Sequence, residues 1–181
     1  GKPICLTGEI SRMIKPTESV PGLSVATVGG GAWTLADQAP DRFTLIEFYR
    51  GYHCPRCKIQ LLDLDHKVAR FTERGCGVIA ISMDGWERAE ATKREWGLGS
   101  LALGYGLSEE SARQWGLFIS QPIQDKEPGR FNEPAMFLVR PDGTLFSAVL
   151  HTTPFHRHHF ADVLEAIDMI RARDYPARGD V

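Results

Sequence analysis

The chain has 181 residues, 43% hydrophobic and 24% charged, with a formal net charge of −2. That length suffices for one domain with a substantial core, and the near-neutral charge gives no basic footprint for nucleic acid or for an acidic membrane surface. No apolar stretch approaches a membrane span and no signal-peptide pattern is visible, while four cysteines (Cys5, Cys54, Cys57, Cys76) are too few and too unevenly spaced for a disulfide scaffold. A reducing compartment, the cytoplasm, is therefore expected.

The first 22 residues carry Pro16, Pro21 and Gly22 and read as an extended lead-in. "LSVATVGGGAWTL" predicts two short strands around a turn at Gly29 to Gly31. "RFTLIEFYR", residues 42 to 50, predicts a strand buried on both faces, because its apolar residues fall on both parities. After Cys57 the period changes: Leu61, Leu64, Val68 and Phe71 recur at helical spacing until Gly75.

"CGVIAISMD" predicts a second buried strand, and "WERAEATKREWG" a helix with a charged outer face. "LSEESARQWG" predicts another helix started by Ser108. Residues 121 to 133 read as a polar loop. "PAMFLVRPDGTLFSAVL" predicts a hairpin around Asp142-Gly143. Phe160, Val163, Leu164, Ile167 and Ile170 mark a last helix, and the tail from Pro176 to Val181 is expected to fray. A βαβ unit followed by ββα gives a single α/β domain over residues 1 to 181: a mixed central sheet with helices on both faces.

Cys54 and Cys57 stand between the predicted strand and helix, two residues apart. A structural zinc site usually takes two such pairs, and Cys5 and Cys76 do not make the second. Those two cysteines read as incidental or structural. Pro55 suits the first turn of a helix, which puts Cys54 at its cap and Cys57 in its first turn. Unpaired N–H groups and the helix dipole favour an anion there. Arg56, Lys58 and a protonated His53 add positive charge nearby, and Tyr52 and His53 flank the pair. All of these favour a thiolate, the reactive form of cysteine. A reactive dithiol is the expectation, with no metal and no cofactor.

"FYRGYHCPRC" resembles the FYRG-x-x-CPxC segment of peroxiredoxin-like proteins in the alkyl hydroperoxide reductase/thiol-specific antioxidant (AhpC/TSA) family, which have a thioredoxin fold. "RGCGVIAISMD", "GYGLSEESARQWGL" and "NEPAMFLVRPDGTLFSAVL" resemble later parts of the same frame, so that the likeness spans roughly residues 23 to 170. It implies an antioxidant thiol oxidoreductase. Its substrate is a peroxide or a protein disulfide, and a thioredoxin, glutaredoxin or glutathione system restores it. Homodimers are common among such proteins, though no residue pattern here fixes one.

The resemblance carries two assignments. Laid on the T-x-x-C segment of ordinary peroxiredoxins, Cys57 takes the peroxidatic position and Cys54 replaces the threonine. Laid on the C-x-x-C of thioredoxins, Cys54 attacks and Cys57 resolves. Greater access at the cap favours Cys54. Pro134 stands where thioredoxins have a cis-proline facing the dithiol, and where ordinary peroxiredoxins tend to have an arginine. Arg130 is near in sequence but need not point inward.

"HTTPFHRHHF", with His151, His156, His158 and His159, reads as a polar loop before the last helix. The alternative to an enzyme is a thioredoxin-fold binding protein in which Cys54, Cys57 and the His156 to His159 cluster hold a metal or a partner.

Overall fold

A computed structural model describes residues 13 to 181. Cys5 and the start of the lead-in lie outside the described residues. The elements, in order, are β1 (Ser24–Thr27), β2 (Gly31–Thr34), β3 (Phe43–Phe48), α1 (Pro55–Glu73), β4 (Cys76–Ile81), α2 (Trp86–Glu95), β5 (Ala102–Tyr105), α3 (Glu109–Gln114), β6 (Ile119–Ser120), β7 (Phe131–Asn132), β8 (Ala135–Val139), β9 (Leu145–Leu150) and α4 (Phe160–Arg173). Seven strands form one mixed sheet in the order β2-β1-β5-β4-β3-β8-β9, and β6 pairs with β7.

The predicted α/β architecture is what forms. β3 is central, parallel to β4 and antiparallel to β8, and all six of its residues are buried. Its alternation splits the core. Phe43, Leu45 and Tyr49, just past the strand, pack with Leu61, Leu64 and Phe71 of α1 and with Phe160 and Ile167 of α4. Ile46 and Phe48 pack on the opposite face with Trp115, Phe137 and Leu145. With helices on both faces, neither side of β3 can be polar without a partner.

The chain departs from the sequence expectation in three places. β5 was not expected: its four residues include Gly104, too short and too little alternating to register as a strand. The loop over residues 121 to 133 ends in strand β7, because Asn132 and Phe131 pair with Ile119 and Ser120. The tail is anchored rather than loose at Ala177, which is buried in the core cluster. Residues 15 to 20 lie along the β8–β9 hairpin, where Thr17 N–H donates to Leu145 O and Val20 N–H to Gly143 O. Among the described residues, no helix is long and apolar enough to cross a membrane.

Candidate active site

The end of β3, the loop over residues 49 to 54 and the start of α1 bring the two cysteines together. Gly51 makes the sharp entry to this loop. Its φ is +138°, and a Cβ there would lie 2.7 Å from Asp84 Oδ2. The same Asp84 oxygen accepts the Tyr52 N–H at 2.8 Å, so Asp84, just beyond β4, ties the loop to the sheet. Burial pushes the Asp84 carboxyl up, opposed by that N–H. Gly51→Ala is expected to cost about 1–3 kcal/mol through strain at this backbone position. Urea denaturation would show it as a lowered midpoint, and a wild-type midpoint would mean that the loop is not constrained there.

Cys54 caps α1 as expected. Its Sγ accepts the Cys57 N–H at 3.3 Å, and Pro55 follows in the first turn. Cys54 is 1% exposed and Cys57 0%, so the expected greater access at the cap is not present: the helix start is tucked under neighbouring segments. The Cys54 thiol is lowered to about 5, first by its hydrogen bond with Cys57 and then, against burial, by the Cys57 N–H and by Arg50. Cys57 is pushed up, first by burial and then by the charge of Cys54. The pair therefore holds one negative charge, and Cys54 is the better place for it.

The cations that reach the sulfurs are not those nearest in sequence. Arg157 Nη2, from the segment between β9 and α4, donates to Cys57 Sγ at 3.3 Å and to Cys54 Sγ at 3.6 Å. The Arg50 N–H donates to Cys57 Sγ at 3.4 Å, and the Arg50 side chain adds charge beside Cys54. Arg50 is itself fixed by Glu133 at 3.0 Å and by the Phe131 ring.

Several predicted residues take other roles. Arg56 and Lys58 are exposed, because the helix turns them outward, and Arg56 lies over Phe155. His53 is buried against Phe131 and is lowered to about 4 by burial and by Arg50, so it is neutral at pH 7 and contributes no charge. Tyr52 stacks on Trp96 at the rim. Arg130 points away, to Glu109 at 2.8 Å.

Pro134 is buried at the end of the sheet that carries the dithiol, where Ala135 pairs with Phe48. No cis peptide bond occurs among the described residues, so the bond before Pro134 is trans, contrary to expectation. The flanking chain holds the extended trans path: Glu133 N–H bonds Phe118 O at 2.7 Å, and Pro134 O accepts His151 N–H at 2.9 Å.

The histidine tract is more than a polar loop. Besides Arg157 it supplies His158, whose Nε2 lies 2.8 Å from Oε2 of the buried Glu47 and whose Nδ1 lies 2.9 Å from His151 Nε2. Among the described residues, no group of three or more His, Cys, Asp or Glu is arranged to hold a metal ion. Glu47, Arg50 and Arg157 were not picked out from the sequence, and His158 was read there only as part of the polar histidine loop or of a ligand cluster. Of the three, Glu47 left a signal, as the one acid inside a strand buried on both faces.

A family model described as the AhpC/TSA family matches residues 16 to 147. The chain belongs to the AhpC/TSA family. Solved structures agree on the fold. The reduced 2-Cys peroxiredoxin of Plasmodium vivax aligns with TM-score 0.73 and 18% identity over 88% of this chain and 83% of that one. A cysteine mutant of peroxiredoxin 6 from Arenicola marina aligns with TM-score 0.71 and 20% identity, covering 88% and 76%. AhpC of Enterococcus faecalis aligns with TM-score 0.71 and 17% identity, covering 90% and 98%. No curated protein matches. Membership in the AhpC/TSA family makes this a thiol-dependent antioxidant oxidoreductase on a thioredoxin-like fold.

Proposed function

We propose that the protein reduces peroxides through a Cys54–Cys57 dithiol cycle in which Cys54 attacks. The observation that carries this reading is the Cys54 sulfur at the start of α1, accepting the Cys57 N–H with two guanidinium groups beside it. The Cys54 thiolate attacks a peroxide oxygen. An S–O bond forms, the O–O bond breaks, and the departing oxygen takes a proton as water or an alcohol. The sulfenic acid on Cys54 is then attacked by Cys57; the S–S bond forms and water leaves with the thiol proton. Two equivalents of an external thiol, from a thioredoxin, glutaredoxin or glutathione system, restore the pair, a requirement that a reducing compartment would meet. Arg157 brings a guanidinium to both sulfurs although no arginine stands at Pro134, which supports peroxide over a protein disulfide as substrate.

A second reading has Cys57 attack. It is favoured by the two donors on that sulfur, Arg50 N–H at 3.4 Å and Arg157 Nη2 at 3.3 Å.

Stopped-flow oxidation of the reduced protein by hydrogen peroxide across pH tests the proposal. The Cys54 thiol is lowered to about 5, so the thiolate is already full at pH 7. The rate is expected to be flat from pH 7 to 8.5 and to fall as pH drops through about 5. A rate that climbs through the ordinary thiol range near 8.5 would remove the activated Cys54. Slow peroxide reaction beside fast reduction of a protein disulfide would assign the other substrate.

A further inference from the structure

The cycle above leaves a buried polar cluster without a role. Glu47 lies on the face of β3 that packs under the thiols, by its alternation with Leu45 and Tyr49. Its cross-strand neighbours, Ala80 and Met136, are uncharged. The ionisable groups facing it are His158 and Arg157, both from the segment before α4. Burial pushes the carboxyl up, and these two groups oppose that shift. Among the described residues Glu47 Oε1 has no hydrogen-bond partner, while Oε2 lies 2.8 Å from His158 Nε2. A carboxyl in an apolar layer is expensive, and replacing such a pair by apolar residues is often neutral or stabilising. The fold alone does not need it.

What the cluster holds is Arg157. The segment from His151 to His159 contains no helix or strand, so no regular element sets the direction of its side chains. Gln60, on α1, donates to His158 O at 3.0 Å and accepts Arg157 Nη1 at 2.7 Å. Arg157 Nε donates to Pro154 O at 2.7 Å. Only Nη2 is left to face the sulfurs, at 3.3 and 3.6 Å.

We infer that Glu47, His158 and Gln60 are positioning residues that hold the Arg157 guanidinium on the Cys54–Cys57 pair. Glu47 pins His158 to the sheet; Gln60 pins the His158 carbonyl and orients the guanidinium plane from α1. The inference rests on the proposed role of Arg157 at the thiolate. It predicts that the cluster acts on sulfur chemistry only through Arg157.

A double-mutant cycle tests this. Glu47→Leu and Gln60→Leu would be made singly and combined with Arg157→Ala, in the full chain. Three quantities would be read: the peroxide rate, the pH midpoint of Cys54 alkylation, and the thermal midpoint. Each single variant is expected to slow the rate by about tenfold or more, since a misplaced catalytic group costs on that scale, and to raise the alkylation midpoint. The thermal midpoint of Glu47→Leu should fall, because removing one partner of a buried pair leaves the other unpaired, so the rate is read below that midpoint. In the Arg157→Ala background neither substitution should slow the reaction further. A wild-type rate in both single variants, or losses that multiply with that of Arg157→Ala, would overturn the inference. If Glu47→Leu does not fold, Gln60→Leu carries the same cycle. A silent Arg157→Ala would overturn the role of Arg157 at the thiolate; a slow Arg157→Ala with silent Glu47→Leu and Gln60→Leu would overturn the positioning alone.

Discussion

Arg157→Ala is expected to slow the first reaction with peroxide by roughly 10²–10³, the usual cost of losing one fixed donor aimed at developing charge. The guanidinium spans both sulfurs, at 3.3 Å from Cys57 and 3.6 Å from Cys54. It stabilises the thiolate whichever sulfur carries the charge, because a charge-assisted hydrogen bond in a water-poor site is stronger than one in solvent. The alkylation midpoint of Cys54 should rise in the same variant. Arg157→Lys should recover only part of the rate. An ammonium is a single point of charge and cannot bond Gln60, Pro154 and two sulfurs at once. Stopped-flow rates and alkylation curves on the folded variants decide the matter. A wild-type rate for Arg157→Ala would leave Arg50 as the cation that matters.

That arginine shows where sequence reading stops. β3, α1, β4 and the β8–β9 hairpin were legible because their signals are local: an apolar run between breakers, a 3.6-residue period, an Asp-Gly turn. Cys54 at the cap was legible for the same reason, since Pro55 marks the first turn of α1. The contacts on sulfur are not local. Arg157 lies 100 residues from Cys57 along the chain, and it arrives there because α4 packs against α1. Sequence proximity pointed instead to Arg56 and Lys58, which a helix of 3.6 residues per turn rotates away from Cys57. His53 was misread in its charge, because burial against Phe131, which sets its protonation, is a tertiary property. Another buried acid, Asp84, looked like the end of a strand and proves to be the tie for Tyr52 N–H.

Cys54→Ser and Cys57→Ser should both abolish turnover, but they should stop it at different points. With Cys54 gone, no activated thiolate remains: Cys57 is fully buried, and burial is the first cause of its raised thiol. The Cys54→Ser protein should consume no peroxide at neutral pH beyond the uncatalysed background. With Cys57 gone, Cys54 keeps its place at the start of α1 and the Arg157 contact, so it should consume one equivalent and stop at a sulfenic acid. A dimedone adduct mapped to Cys54 by mass spectrometry would mark that stop, and excess peroxide should carry it on to the sulfinic acid. Cys76→Ser should behave as wild type, because burial pushes that thiol up to about 11 and keeps it protonated. The reverse pattern, a sulfenic acid on Cys57 in Cys54→Ser and none in Cys57→Ser, would assign attack to Cys57. Attack would then follow the position that the resemblance to the T-x-x-C segment implies rather than the thiol that the helix start activates. The comparison therefore separates two controls over the same pair: the backbone N–H at the cap, which favours Cys54, and the Arg50 and Arg157 donors, which converge on Cys57.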